Sequence, residues 1–150
     1  MGLETIEFVV EGRPAPQGSK DFLGISSSGK ARMKESSDYL PAWRAAIELR
    51  AVVIATKTRD APIDVPCELS VEFRFPMTKA NIAKGYKRYP KATMPDLDKL
   101  VRAVGDSLQA ARLLKDDARI VRLGTCEKWE VNDGSRPGAT IKITRLVGTT

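Results

Sequence analysis

Hydrophobic and polar positions along this chain fall into blocks, and each block predicts an element. Ile6, Phe8 and Val10 alternate with Glu7, Val9 and Glu11, which reads as a strand with one buried face, ended by Gly12 and Pro14. Residues 13–37 then read as a long loop. A helix is expected from about 37 to 55, with Ser36 or Ser37 as cap and Pro41 in its first turn, where a missing N–H costs nothing. Trp43, Ala46, Ile47, Ala51 and Ile54 recur at helical spacing, so Trp43 reads as a core anchor rather than a base-stacking group. Cys67, Leu69, Val71, Phe73 and Phe75 alternate with Glu68, Ser70, Glu72 and Arg74, a half-buried strand closed by Pro76. Residues 77–94 read as a second long loop.

The strongest helical stripe follows: Leu97, Leu100, Val101, Val104, Leu108 and Ala111 predict a helix from 97 or 98 to 111. Gly105 in its middle costs about 1 kcal/mol relative to alanine, which marks close packing. Residues 114–117 form a turn. Residues 119–130 read as a strand with Val121, Leu123, Thr125 and Trp129 on one face. A turn cluster at 132–138 precedes a last strand at 139–146. With no repeat and no composition break, residues 1–150 read as one domain of the α+β class. It would carry a mixed or antiparallel sheet with two main helices packed on it, in the order β-loop-α-β-loop-α-β-β.

Composition changes this picture in one respect. Lys and Arg number 25 against 19 Asp and Glu, a net charge of +6, which favours a polyanionic partner. Histidine is absent, which excludes His-based metal sites and Ser-His-Asp triads. Cys67 and Cys126 are too few for a disulfide scaffold and read as reduced structural thiols. The N-terminal residues show neither a signal peptide nor a membrane span, so the expected location is the cytoplasm. The two long loops concentrate cations: Lys20, Lys30, Arg32 and Lys34 in the first, and Lys79, Lys84, Lys87, Arg88 and Lys91 in the second. The second holds no acid, and Tyr86 and Tyr89 interleave with its charges, as a loop that tracks a phosphate backbone requires.

Against this basic background the acids cluster. Pro95-Asp96-Leu97-Asp98 opens the second helix and Lys115-Asp116-Asp117 follows it. Taken singly, such aspartates serve as helix caps and turn formers. Taken together beside a phosphate-binding surface, they suit a hard divalent cation that shares its ligands with a phosphate. Residues two apart inside a helix point in nearly opposite directions, so Asp96 can meet Asp98 only if it lies before the helix or at its cap.

The run Pro95-Asp96-Leu97-Asp98-Lys99-Leu100-Val101-Arg102-Ala103-Val104-Gly105-Asp106-Ser107-Leu108, followed by Leu114-Lys115-Asp116-Asp117-Ala118-Arg119-Ile120-Val121, resembles the RusA family of Holliday junction resolvases. The family pattern is P-D-x-D-N-x-x-K-x-x-x-D-x-L and then D-D-x-x-I/V. Gly12-Arg13-Pro14-Ala15-Pro16-Gln17-Gly18-Ser19-Lys20, Glu35-Ser36-Ser37 and Trp43-Arg44 are similar to its phage and prophage branch. The resemblance implies a Mg²⁺-dependent endonuclease, with Mn²⁺ as a substitute, acting as a homodimer on branched DNA such as a four-way junction. It implies no organic cofactor and no membrane.

It also implies that Asp96, Asp98 and Asp117 are the catalytic metal-binding carboxylates, with Asp116 and Asp106 in support. Asp106 lies two turns from Asp98, about 12 Å along the axis, and is expected to orient a partner. The family's catalytic lysine is Arg102 here, which can stabilise charge but cannot act as a base. The usual asparagine is Lys99. Lys20, Lys30, Arg32, Lys34, Lys84, Lys87 and Arg88 would hold the DNA backbone. A non-catalytic branched-DNA-binding protein and a metal nuclease for flaps are the alternatives.

Overall fold

In the computed structural model, which describes residues 4–18 and 38–150, alternation along the chain becomes the faces of one sheet. β1 (Thr5–Glu11) buries Phe8 and Val10 and turns its glutamates out. α1 (Leu40–Lys57) buries Trp43, Ile47 and Ala51, with Pro41 in its first turn as expected. Its cap position is Tyr39, which makes no side-chain capping bond, while Ser36 and Ser37 lie outside the described residues. β2 (Cys67–Pro76) buries every odd-numbered residue from Cys67 to Phe75. α3 (Leu97–Ala110) buries Leu100, Ala103, Val104 and Leu108, and β5 (Gly138–Arg145) buries Ala139, Ile141 and Ile143.

The second long loop is not bare. It holds a five-residue helix, α2 (Lys79–Ala83), whose Thr78 hydroxyl accepts from Asn81 N, and a short strand, β3 (Arg88–Pro90). No apolar periodicity marks these residues because neither element buries a face: α2 has no buried residue. A 3₁₀ turn at Asp117–Arg119 leads into β4 (Ile120–Val131).

The five strands lie in the order β1-β5-β2-β4-β3. β2 and β4 are parallel, and the other neighbours are antiparallel. Trp43, Ile47, Leu69, Phe73, Leu100, Val104, Leu108, Ile141 and Ile143 form one core, so both long helices cover the face that the odd residues of β2 present. Gly138 shows how tightly β1 and β5 are joined. Its φ is +151°, and a Cβ there would collide with the Val10 carbonyl oxygen.

β4 departs from expectation. Leu69 faces Leu123, but Val71 faces Cys126 and Phe73 faces Lys128, so β4 gains a residue at each of two register shifts. Residues opposite each other share a face, and each extra residue inverts the alternation that follows. Leu123 therefore points to the helix side, while Trp129, opposite Arg74, points away. The single face of Val121, Leu123, Thr125 and Trp129 read from sequence does not exist. Val121 is 61% and Leu123 55% exposed, because both line an open groove between α3 and this end of β4. The same shifts aim Lys128 and Glu130 at the helix side, opposite Phe73 and Phe75.

Candidate active site

The chain reaches α3 through an extended lead-in. Asp96 is the N-cap residue, with φ −66° and ψ 139°, and its side chain makes no capping bond, which leaves the carboxylate free of the helix backbone. This is the placement that Asp96 needed to reach the face of Asp98, which lies in the first turn. Lys99 Nζ stands 3.6 Å from Asp96 Oδ2. Lys128, from β4, donates from Nζ to the carbonyl oxygens of Thr93 and Pro95, each at 2.7 Å, and so holds the lead-in from below. Burial pushes the Lys128 ammonium down, and the Asp96 charge pulls it back up.

The segment after β1 closes the other side. Pro14, Ala15 and Pro16 are buried, and Gln17 N donates to Lys99 O at 3.0 Å. Gly18, at φ +87°, sits against the Arg102 guanidinium: a Cβ there would lie 3.1 Å from Nη1. The expected cations Lys20, Lys30, Arg32 and Lys34 lie outside the described residues.

Asp117 arrives from the 3₁₀ turn beside the middle of α3. A Cβ built on Gly105 would stand 3.8 Å from Asp117 Cβ and 3.7 Å from Ile120 Cδ1, so the glycine marks a close approach as expected. Gln109 Oε1 accepts from Asp117 N at 2.9 Å, and Asp116 Oδ1 accepts from Ala118 N at 2.8 Å. Burial, Asp106 and Asp116 push the Asp117 carboxyl above the usual aspartate range, and Arg102 pulls it down. Arg102, Asp117, Gly105, Val101 and Leu123 line one groove between α3 and β4.

The aspartates thus occupy two levels of α3. Asp96 and Asp98 stand at its N-terminal turn, and Asp117 stands near Asp106 and Asp116 at the level of Gly105, which is about 10 Å further along the axis by helix rise. Arg102 lies between the levels. Among the described residues, no three acidic side chains converge on one point as a ready-made metal cage. The donors fit a hard divalent cation in chemistry: all are carboxylates, and one is pushed above its usual range by burial and by its acidic neighbours. Mg²⁺ needs only one or two such carboxylates when waters and a phosphate complete its shell.

A family model for the endodeoxyribonuclease RusA matches residues 14–144. The chain belongs to the RusA endodeoxyribonuclease family. A comparison with curated proteins gave no match. The RusA match spans α3, the 3₁₀ turn and β4, and with them every residue of the groove. Among the described residues no helix is long and apolar enough to cross a membrane.

The basic residues assigned to DNA divide in two. Lys84 and Lys87 are exposed and make no ion pair among the described residues. Arg88 is already engaged: its Nη2 lies 2.9 Å from Glu72 Oε1, its Nε lies 3.7 Å from Asp133 Oδ2, and the guanidinium stacks over Trp129. Tyr86 and Tyr89 pack together at 4.8 Å between ring centroids with both rings partly exposed. Trp43, only 1% exposed, is the core anchor expected. Cys67 and Cys126 are unpaired thiols, both pushed up by burial.

Sequence reasoning missed Lys128, Glu130 and Gln109. Glu130 Oε1 accepts from Thr78 N at 3.1 Å and Asn81 Nδ2 at 2.9 Å, and so anchors the start of the cationic segment. The lost signal was parity. Without the register shifts, a period-two reading of β4 cannot tell which of Lys128, Trp129 and Glu130 faces α3.

Proposed function

We propose that this RusA family member is a Mg²⁺-dependent, structure-selective endonuclease that resolves four-way DNA junctions by paired symmetric nicks. The observation that carries the reading is Asp117, crowded by Asp106 and Asp116 beside Arg102 in an otherwise basic protein. Like charges are gathered there at a cost that a cation relieves. Asp96, Asp98 and Asp117 would hold the ion, with Mn²⁺ as a substitute. When bound, the ion supplies Lewis-acid polarisation of the phosphate and a water of lowered pKa. Arg102 stabilises the charge developing on the phosphate and stays protonated throughout. Asp106 and Asp116 tune Asp117, and Lys99 offsets the charge of Asp96. Lys84 and Lys87 hold the backbone through contacts that carry no base sequence.

Paired nicks on symmetric strands require two sites related by a two-fold axis, hence a homodimer. The outer edge of β4 over residues 120–127 has no neighbouring strand among the described residues, and Val121 and Leu123 are exposed along it, which is the chemistry of a pairing surface. The setting is the cytoplasm of a bacterial or phage-infected cell.

The test is cleavage of a labelled synthetic junction in Mg²⁺ and in EDTA by the wild type and Asp98→Asn. Paired nicks that need Mg²⁺ and vanish in the variant, with binding kept, support the reading. Tight binding without cutting in Mg²⁺ or Mn²⁺ leaves a junction-binding protein, and faster cutting of flaps than of junctions leaves a flap nuclease.

A further inference from the structure

The segment from 77 to 96 carries exposed lysines at one end and Asp96 at the other, and it has little regular structure of its own. β4 holds it at both ends through alternate residues. Glu130 takes Thr78 N and Asn81 Nδ2 at the start. At the end, Lys128 gives Nζ to Thr93 O and Pro95 O, and its own carbonyl accepts from Lys91 N at 3.1 Å. The residues between Lys91 and Asp96 form no helix or strand, so no backbone ladder fixes where Asp96 begins. An ammonium has three donors, and two are spent here on the carbonyls of the residues one and three positions before Asp96. Charged donors make the shorter and stronger hydrogen bonds. The register shifts of β4 make this contact possible, because they turn Lys128 to the helix side opposite Phe73.

We infer that Lys128 is a positioning residue: it fixes the extended lead-in that sets the Asp96 carboxylate at the mouth of α3, and so sets the site's affinity for a divalent cation. The inference rests on the nuclease reading above and names a residue of the same site. Lys128 is not assigned to DNA. Two of its donors face protein carbonyls, whereas Lys84 and Lys87 face solvent.

The test compares the wild type, Lys128→Met, Lys128→Arg and Glu130→Gln in the full chain. Four readouts are taken: Mn²⁺ binding to the free protein by electron paramagnetic resonance, junction binding in Ca²⁺, single-turnover cleavage against Mg²⁺ concentration, and amide hydrogen exchange over residues 93–98. Groups that orient a metal ligand typically cost about 10- to 100-fold in metal affinity when removed. Lys128→Met is expected to weaken Mn²⁺ binding and raise the Mg²⁺ requirement within that range. It should speed exchange at residues 93–98 and leave junction affinity unchanged. Lys128→Arg should recover part of each effect, since a guanidinium can also span two carbonyls. Glu130→Gln, which loosens the far end of the segment, should weaken Mn²⁺ binding less than Lys128→Met does.

A wild type that binds Mn²⁺ and cuts, beside a Lys128→Met that matches it in metal dependence, overturns the inference and spares the nuclease reading. Loss of junction affinity with an unchanged Mg²⁺ requirement also overturns it, because Lys128 would then be a DNA contact. Exchange at residues 93–98 unchanged in a folded Lys128→Met overturns the positioning role. A wild type that neither binds Mn²⁺ nor cuts removes the nuclease reading, and the inference with it.

Discussion

The two halves of the sheet are built on different terms. Across β1, β5 and β2 the register runs unbroken, the core-facing alternation is kept, and Gly138 lets backbone meet backbone. Across β4 the register shifts twice, apolar residues face solvent, and charged groups occupy the helix side. The first half is a scaffold that carries most of the apolar core of the sheet. The second gives up regular packing to aim Lys128 at the lead-in to α3, Glu130 at α2, and the strand's own start, next to Asp117, at α3. Bulges commonly re-aim side chains next to active sites, and here they separate the regular part of the sheet from the part beside the proposed site.

The comparison is sharpest where function can be lost without stability. Asp117→Asn should reduce junction cleavage about a thousandfold, or about 4 kcal/mol of barrier, while the melting temperature holds or rises, since the Asp106 and Asp116 repulsion is relieved. Parallel cleavage assays and calorimetry check it, and a large fall in melting temperature would place Asp117 in the scaffold. The reverse pattern belongs to the regular half. Phe73→Ala, in the centre of β2 and fully buried, should cost about 3–5 kcal/mol by urea unfolding. Cleavage under native conditions should persist in whatever fraction remains folded.

Glu130 sits on the boundary between the halves. Burial pushes its carboxyl up, but the hydrogen bonds from Asn81 and Thr78 and the Lys91 charge outweigh that and hold it below the usual glutamate range. A depressed folded value means that its stabilisation is present above the unfolded value of about 4.3 and is lost as pH falls through the lower folded value. Glu130→Gln should therefore be less stable than the wild type near neutrality, by about 1 kcal/mol. The difference should close in acid, which melting temperatures across pH would show. A constant difference would mean that the carboxylate's charge has no part in anchoring the cationic segment.

The smallest effects should separate the cations. Lys84→Ala and Lys87→Ala should each lower the salt slope of junction binding by about one unit and leave stability unchanged. Arg88→Ala should do the opposite, because its charge is already shared between Glu72 and Asp133. Salt titrations beside unfolding curves distinguish the two classes.

Much of this was legible beforehand. Alternation placed β1, β2 and β5, and helical recurrence placed α1 and α3 to within a few residues, because those elements bury one face against a common core. The acidic run and the Arg102 and Lys99 departures were plain in the sequence, and so was the need for Asp96 to stand outside the helix. The small elements within 77–94 were not, since α2 and β3 bury nothing and are held by Glu130 and the end of β4. Nor was the engagement of Arg88, whose acidic partners lie on β2 and in the turn after β4.

The sequence by itself determined the class of fold and the endodeoxyribonuclease family, because periodicity, composition and a local motif are written in neighbouring residues. The tertiary structure alone decided that Asp117 stands at the level of Gly105, which of the described cations are free, and that Lys128 and Glu130 grip the segment leading to Asp96. The aim of Lys128 and Glu130 depends on two added residues in β4. An added residue inverts every side chain after it, and its presence shows only when the strand is laid against its neighbour.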